Sequence, residues 1–167
     1  MGSTKILILT TGGTIDKIYF DALSEYQIGT TQIAKLLEIG RVAAPFEIVE
    51  LMRKDSLELT DEDRGTIVAA VEKAGTDRIV ITHGTDTMTV TAQALAHVMG
   101  KTIVLVGALA PARFAESDAT FNLGMAFATA QVAPPGVYIT MSGQVFRAGE
   151  VVKNREQGAF VAVSQQP

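Results

Sequence analysis

Two short clusters in this sequence carry residue types that open and close acyl bonds. The first is Thr10-Thr11-Gly12-Gly13-Thr14 and the second is His83-Gly84-Thr85-Asp86-Thr87. Adjacent glycines let a loop turn tightly and aim backbone N–H groups at a developing oxyanion, while the neighbouring hydroxyl is placed to attack. A threonine hydroxyl is a weak nucleophile until a base takes its proton. Each cluster also has a plainer reading. Thr-Gly-Gly-Thr is an ordinary strand-to-loop turn whose hydroxyls satisfy backbone groups, and Asp86 or Thr87 suits the N-cap of a following helix. Two such clusters at adjacent strand ends favour a site.

Other chemistries are poorly served. Neither the dinucleotide pattern G-x-G-x-x-G nor the phosphate-loop pattern G-x-x-x-x-G-K-[ST] occurs. His83 and His97 are the only histidines. His97 sits in a helix as a structural residue, and His83, leaving a buried strand, orients its loop rather than passing a proton. With the histidines far apart, no H-E-x-x-H and no cysteine, the sequence supports neither a metal site nor a disulfide, and implies no cofactor.

The elements that position these clusters follow from hydropathy. Short unpatterned apolar runs, as expected of strands buried on both faces, alternate with segments of helical period. That predicts an α/β fold: a single doubly wound, mainly parallel sheet flanked by helices in a three-layer sandwich. The predicted strands are Lys5–Thr10, Glu47–Arg53, Arg78–Thr82, Thr102–Gly107 and Val137–Met141, with a short pair near Val145–Phe146 and Val151–Val152. A first helix starts at a Thr31 N-cap, presents Ile33, Leu36 and Leu37, and stops at Gly40. A second is capped by Thr60 and buries Ile67, Val71 and Ala74. A third carries Met88, Ala92, Leu95 and Met99, and a fourth Phe121, Met125, Ala128 and Val132. Gly158–Pro167 reads as a weak strand that frays. In an open parallel sheet the ligand sits beyond the carboxyl ends of the strands, where Lys54-Asp55-Ser56, Ala108-Leu109-Ala110-Pro111 and Ser142-Gly143-Gln144 join the two clusters.

Composition sets the outer limits. A chain of 167 residues, 47% hydrophobic and 19% charged, suits one domain spanning 1–167 with its own core. The net charge of -4 supplies no basic stripe for nucleic acid. Mean hydropathy is +0.26, yet no apolar stretch approaches the roughly 18 residues of a membrane span. Ile6-Leu7-Ile8-Leu9 is too short for a secretory signal, so the expected location is cytoplasmic.

At the clusters the sequence resembles the bacterial-type L-asparaginases and their glutaminase relatives. Leu9-Thr10-Thr11-Gly12-Gly13-Thr14-Ile15 is similar to the family's first signature and His83-Gly84-Thr85-Asp86-Thr87-Met88 to its second. Asp55-Ser56 resembles the substrate-binding serine loop, Gly107-Ala108 with Pro111 and Phe121-Asn122-Leu123 the segment after the fourth strand, and Val152-Lys153-Asn154 the lysine segment.

The resemblance implies that Thr14 attacks the side-chain amide, forming an acyl-enzyme ester and releasing ammonia, and that Thr85, Asp86 and Lys153 form a second catalytic cluster. Asp86 is alternatively a site for the substrate's α-ammonium. Asp55, Ser56, Gly13, Gly84 and Ala108 would contact the substrate, Ser56 through its α-carboxylate. Tyr26, in a Tyr-x-x-Gly pattern, matches the activating tyrosine by motif, and Tyr19 by proximity to Thr14. Residues 15–30, with Asp16, Lys17 and Asp21 and no clear period, read as a flap that closes over the substrate and excludes water, the plainer reading being an ordinary solvated loop. Family members usually have about twice this length, so the resemblance is to the N-terminal domain alone, a short form that would complete its site itself or borrow from an identical neighbour, with a homo-oligomer and weak substrate binding the expectations. The implied activity is asparagine hydrolysis, with glutamine disfavoured by one methylene. The other readings are an amino-acid or nucleotide sensor without turnover and the amidase part of an amidotransferase.

Overall fold

Each long apolar run becomes a strand of one central sheet. The computed structural model describes residues 4–165. Its first half runs β1 (Ile6–Gly12), β2 (Lys17–Phe20), β3 (Glu25–Ile28), α1 (Ile33–Ile39), β4 (Phe46–Lys54) and α2 (Asp61–Lys73). There follow β5 (Arg78–Thr82), α3 (Met88–Ala94), β6 (Thr102–Val106), α4 (Ala119–Val132), β7 (Gly136–Met141), β8 (Gln144–Arg147), β9 (Val151–Asn154) and β10 (Ala159–Ala162). The main sheet has the order β4-β1-β5-β6-β7-β8, parallel except for β8, which pairs antiparallel with β7.

Two cores sandwich the sheet. Ile8, Val80 and Val104 meet Ile33, Leu37, Leu123 and Phe127 of α1 and α4 on one face. Leu9, Ile79, Ile81 and Ile103 meet Ile67, Val71, Met88 and Leu95 from the α2–α3 side on the other. Full burial of each such aliphatic side chain contributes roughly 1.5–3 kcal/mol, which explains why strands covered on both faces carry no polar alternation. This is the doubly wound, three-layer α/β fold that the hydropathy predicts. No described helix is long and apolar enough to cross a membrane.

Several local expectations are corrected. α1 begins at Ile33 with Gln32 in the cap position, because its N-terminal donors are met partly by a carboxylate from elsewhere: Asp16 accepts from the Gln32 N–H at 2.8 Å and from the Thr31 hydroxyl at 3.2 Å. α2 does start at Thr60, in a capping box with Asp63. α3 ends at Ala94, and Met99 lies beyond it, 85% exposed. α4 turns the opposite face inward from the one predicted: Phe121 and Val132 are 67% and 82% exposed, while Ala119, Leu123, Ala126, Phe127 and Ala130 are buried. With no charged residue along α4, period alone could not choose its inner face.

The C-terminal third also differs. Val145–Phe146 and Val151–Val152 do not pair with each other; β8 closes the sheet edge and β9 pairs with β10. β10 is anchored rather than frayed, since Phe160 is fully buried and its N–H donates to Ser142 Oγ at 2.9 Å. Ser142 therefore caps an edge, whereas Thr140 is buried within the sheet. Gln166 and Pro167, the end of the predicted fraying strand, lie outside the described residues.

Candidate active site

The strand order reverses at β1. β4 lies on one side of it and β5 on the other, and at such a switch point the loops leaving the two central strands part and open a crevice at the carboxyl edge. The loops leaving β1 and β5 are the two threonine clusters.

Glycine brings the lips together. Gly13 adopts φ 88°, and a Cβ there would lie 2.5 Å from the Gly84 nitrogen and 2.6 Å from its Cα. The Gly13 N–H is donated to the Lys54 carbonyl at 3.0 Å, so this glycine turns the loop and does not present that donor to a ligand. Thr14 follows, half-buried, at the start of a short 3-10 turn that ends with Asp16. On the other lip, a Cβ on Gly84 would meet the Ser56 side chain at 2.6 Å. Ser56 is 1% exposed; its Oγ accepts from the Thr87 N–H at 3.3 Å and its carbonyl accepts from the Thr87 hydroxyl at 2.7 Å. Thr87 thus stands in the cap position of α3 but spends its hydroxyl on the β4 loop.

Behind Gly84 lies a fully buried polar chain. His83 Nδ1 is 2.7 Å from the Gly84 carbonyl, and its Nε2 is 2.7 Å from Thr91 Oγ1, which also accepts from Arg64 Nε at 3.2 Å. A carbonyl only accepts, so Nδ1 carries the proton and Nε2 accepts from the Thr91 hydroxyl. Burial, with Arg64 nearby, lowers the His83 pKa from 6.5 to about 4. The imidazole is a neutral brace for the loop, as the sequence suggests. An unfolded chain takes up this proton near pH 6.5 while the fold refuses it until about pH 4, so the stability is complete above the first value and falls as pH drops through the second. The loss amounts to about 3 kcal/mol. Imidazole 15N shifts recorded at pH 5 are expected to show His83 unprotonated at Nε2.

The residues of the expected second cluster come together across the chain. Lys153 Nζ donates to Thr85 Oγ1 at 2.8 Å and to Asp86 Oδ1 at 2.9 Å. Thr85 is 5% exposed, and the Lys153 and Asp86 side chains are 20% and 27% exposed. Lys153 lies on β9 opposite the buried Phe160, which roots the strand in the core. Arg155, in the turn after β9, adds a second cation: its guanidinium reaches the same Oδ1 at 3.1 Å. Lys153 above all, then Arg155, holds the Asp86 carboxyl below the usual carboxylate range.

The flanking groups are arranged as follows. Asp55 accepts from the Leu57 N–H at 3.0 Å and pairs with Lys17 at 3.3 Å. Ala108 packs in the core on the α1–α4 side. The segment 15–30 is mostly the antiparallel β2–β3 hairpin, closed at its base by the Gly29 N–H donating to the Asp16 carbonyl at 2.9 Å. Asp16 itself is 2% exposed, and burial raises its pKa. Tyr19 and Tyr26 are cross-strand partners on this hairpin, each 51% exposed; their rings lie 5.2 Å apart, and Tyr26 meets Phe114 edge-on at 6.1 Å. Their ring contacts are with each other and with Phe114. Sequence reasoning missed Lys17, Arg155, Arg64 and Thr91: the first three engage partners far along the chain, and Thr91, eight residues after His83, meets it only once the loop before α3 folds back; the closeness of Arg155 to Lys153 was a signal.

An open α/β sheet whose β1 and β5 loops meet at its switch point, one of them joined to a lysine from a distant hairpin, defines a doubly wound α/β class of domain. Within that class the assignment is specific: the family model for the N-terminal asparaginase domain matches residues 5–167, and the chain belongs to the asparaginase family. It is 33% identical over 168 residues to an L-asparaginase of Thermococcus kodakarensis, covering 96% of this chain and 51% of that protein. The structure of the thermostable L-asparaginase from the same organism superposes with a TM-score of 0.85 at 32% identity, over 97% of this chain and 52% of that one. A glutamyl-tRNA(Gln) amidotransferase component of Pyrobaculum aerophilum is 36% identical over 138 residues, covering 78% of this chain and 33% of that protein. The chain spans about half the length of the asparaginases it matches.

Proposed function

We propose that this domain hydrolyses L-asparagine to L-aspartate and ammonia. Thr14 attacks the side-chain amide carbon, the amide nitrogen leaves as ammonia after taking up a proton, and water then cleaves the ester to release aspartate and restore the threonine. The observation that carries the reading is the Lys153 Nζ hydrogen-bonded at once to Thr85 and Asp86 beside the Thr14 loop, in a chain of the asparaginase family. Lys153 moves the proton through Thr85 and Asp86 holds the lysine in place. Asp55, Ser56, Gly13, Gly84 and Ala108 form the substrate-side wall, and the 15–30 hairpin closes over it, bringing Tyr26 or Tyr19 to Thr14.

The reading includes a cytoplasmic location and a homo-oligomer, for which the uncharged outer face of α4, with Phe121 and Val132 exposed, is a suitable surface. No cofactor is invoked. The test is ammonia release from asparagine and from glutamine. Thr14→Ala is expected to abolish release from asparagine, and release that persists in the purified variant would refute the assignment. A second reading, the amide-hydrolysing part of a tRNA-dependent amidotransferase, is favoured by the similarity to the Pyrobaculum aerophilum protein. It predicts measurable ammonia transfer only in the presence of a second, synthetic component.

A further inference from the structure

We propose that Lys17 and Phe114 are positioning residues that seat the 15–30 hairpin across the crevice, each through a different neighbouring loop; this rests on the hydrolytic reading above, in which that hairpin closes over substrate. The hairpin follows β1, and its two strands touch different loops. From β2, Lys17 Nζ reaches Asp55 Oδ2 at 3.3 Å in the loop after β4. From β3, the Tyr26 ring meets Phe114 edge-on at 6.1 Å in the loop after β6. In the sheet, β4 and β6 flank β1 and β5. The two contacts therefore span the edge from which both threonine clusters leave.

Both loops are braced to receive the hairpin. Asp55 takes the Leu57 N–H on Oδ1 at 3.0 Å, which leaves Oδ2 for Lys17. Lys54, next to it, is spent on Asp63 at 2.9 Å, and Glu58 in the same turn carries the same sign as Asp55, so Lys17 is the one cation paired with Asp55 among the described contacts. In the loop after β6, Asp118 accepts from the Leu109 and Ala110 N–H groups at 3.0 Å and from the Asn122 side-chain amide at 2.8 Å. The Ala112 N–H then donates to the Ile15 carbonyl, at the hairpin's root, at 3.1 Å. Phe114 and Tyr26 are about half exposed and belong to neither core, so their contact serves the hairpin rather than the sheet. A part-exposed ion pair favours the seated hairpin up to about fivefold, and an aromatic edge contact about twofold to tenfold.

The experiment measures kcat and KM for L-asparagine in wild type, Lys17→Gln, Lys17→Arg, Phe114→Ala and Phe114→Tyr. Because the seats are made as the hairpin closes on bound substrate, their loss weakens binding before it slows the bound complex. KM is expected to rise up to about fivefold in Lys17→Gln and about twofold to tenfold in Phe114→Ala, with kcat kept within about twofold. Lys17→Arg and Phe114→Tyr, which keep the charge and the ring, are expected to match wild type. Roughly 1 M salt, which screens charges within about 3 Å, is expected to raise KM in wild type and to leave Lys17→Gln where it was. A KM unmoved by Lys17→Gln or by Phe114→Ala, or a Lys17→Arg no better than Lys17→Gln, overturns the proposal. If asparagine is not hydrolysed, the hydrolytic reading fails by itself. The seats are then read in the ligand-free protein from relaxation dispersion of the β2 and β3 amides, which reports exchange between seated and unseated hairpin. The ratio of unseated to seated molecules is expected to rise by the same factors. A ratio that stays at the wild-type value, or exchange confined to the residues beside each substitution, overturns the seats.

Discussion

Lys153→Met is expected to lower kcat for asparagine by roughly a thousandfold while leaving the fold in place. Methionine keeps the unbranched stem beside Phe160 but removes the ammonium that bridges Thr85 and Asp86. Thr85 then loses its proton partner, and Asp86 is left with Arg155, whose exposed charge compensates it weakly. The sign of the pH effect follows. Asp86 titrates below its ordinary range in the fold, so its ion pair stabilises the protein above that range and the contribution is lost as pH falls through the depressed value. In Lys153→Met the loss moves to higher pH. Steady-state kinetics at neutral pH, and thermal melts of wild type and variant continued from neutral pH to below the ordinary carboxylate range, check both parts. A variant that retains activity within tenfold of wild type would show that the proton travels by another route.

Gly13→Ala is expected to cost about 3 kcal/mol or more and to abolish activity. The positive φ alone charges a Cβ-bearing residue roughly 1–2 kcal/mol, and the added carbon would meet the Gly84 backbone at 2.5 Å, where neither loop has a flexible side chain to move aside. For a chain of this size that corresponds to a melting-temperature drop of about 6–12 °C. Gly65→Ala is the matching control, because Gly65 is exposed in α2 with nothing within 4 Å of its Cβ position. The same substitution there is expected to raise stability by about 0.5–1 kcal/mol. Melting curves that fail to separate the two glycines would refute the account of the loop contact.

The candidate site was legible where local rules and family motif coincide. Thr14, Thr85, Asp86 and Lys153 stand in short signatures, and strands buried on both faces announce a parallel sheet whose carboxyl edge must hold them. The illegible parts are those whose partners lie far along the chain. Asp16 supplies the donor-side partner for α1 from another segment, so no window around Thr31 could reveal it. α4 has apolar residues on all sides and no charge to mark its outer face, so its periodicity fits two rotations equally well. The 15–30 segment lacked a clear period because its hairpin is largely exposed, with Tyr19 and Tyr26 outside the core. Arg155 and Lys17 were visible as charges, but only the folded chain shows which carboxylates they engage.

The seating of Lys153 separates the sheet from its chemistry in folding. The strands β1, β4, β5, β6 and β7, with the helices over them, carry most of both cores, whereas the lysine arrives on a two-stranded hairpin held by Val151, Phe160 and Ala162, one bond to Ser142, and the bonds of Lys153 and Arg155 to the β5 loop. Such an appendage is a natural unit of partial opening, able to leave and return while the main sheet stays closed. A chain with its hairpin undocked keeps its threonine loops and its shape but has no lysine at Thr85. On the hydrolytic reading, docking of the β9–β10 hairpin would be the step that brings Lys153 to Thr85 and completes the proposed site.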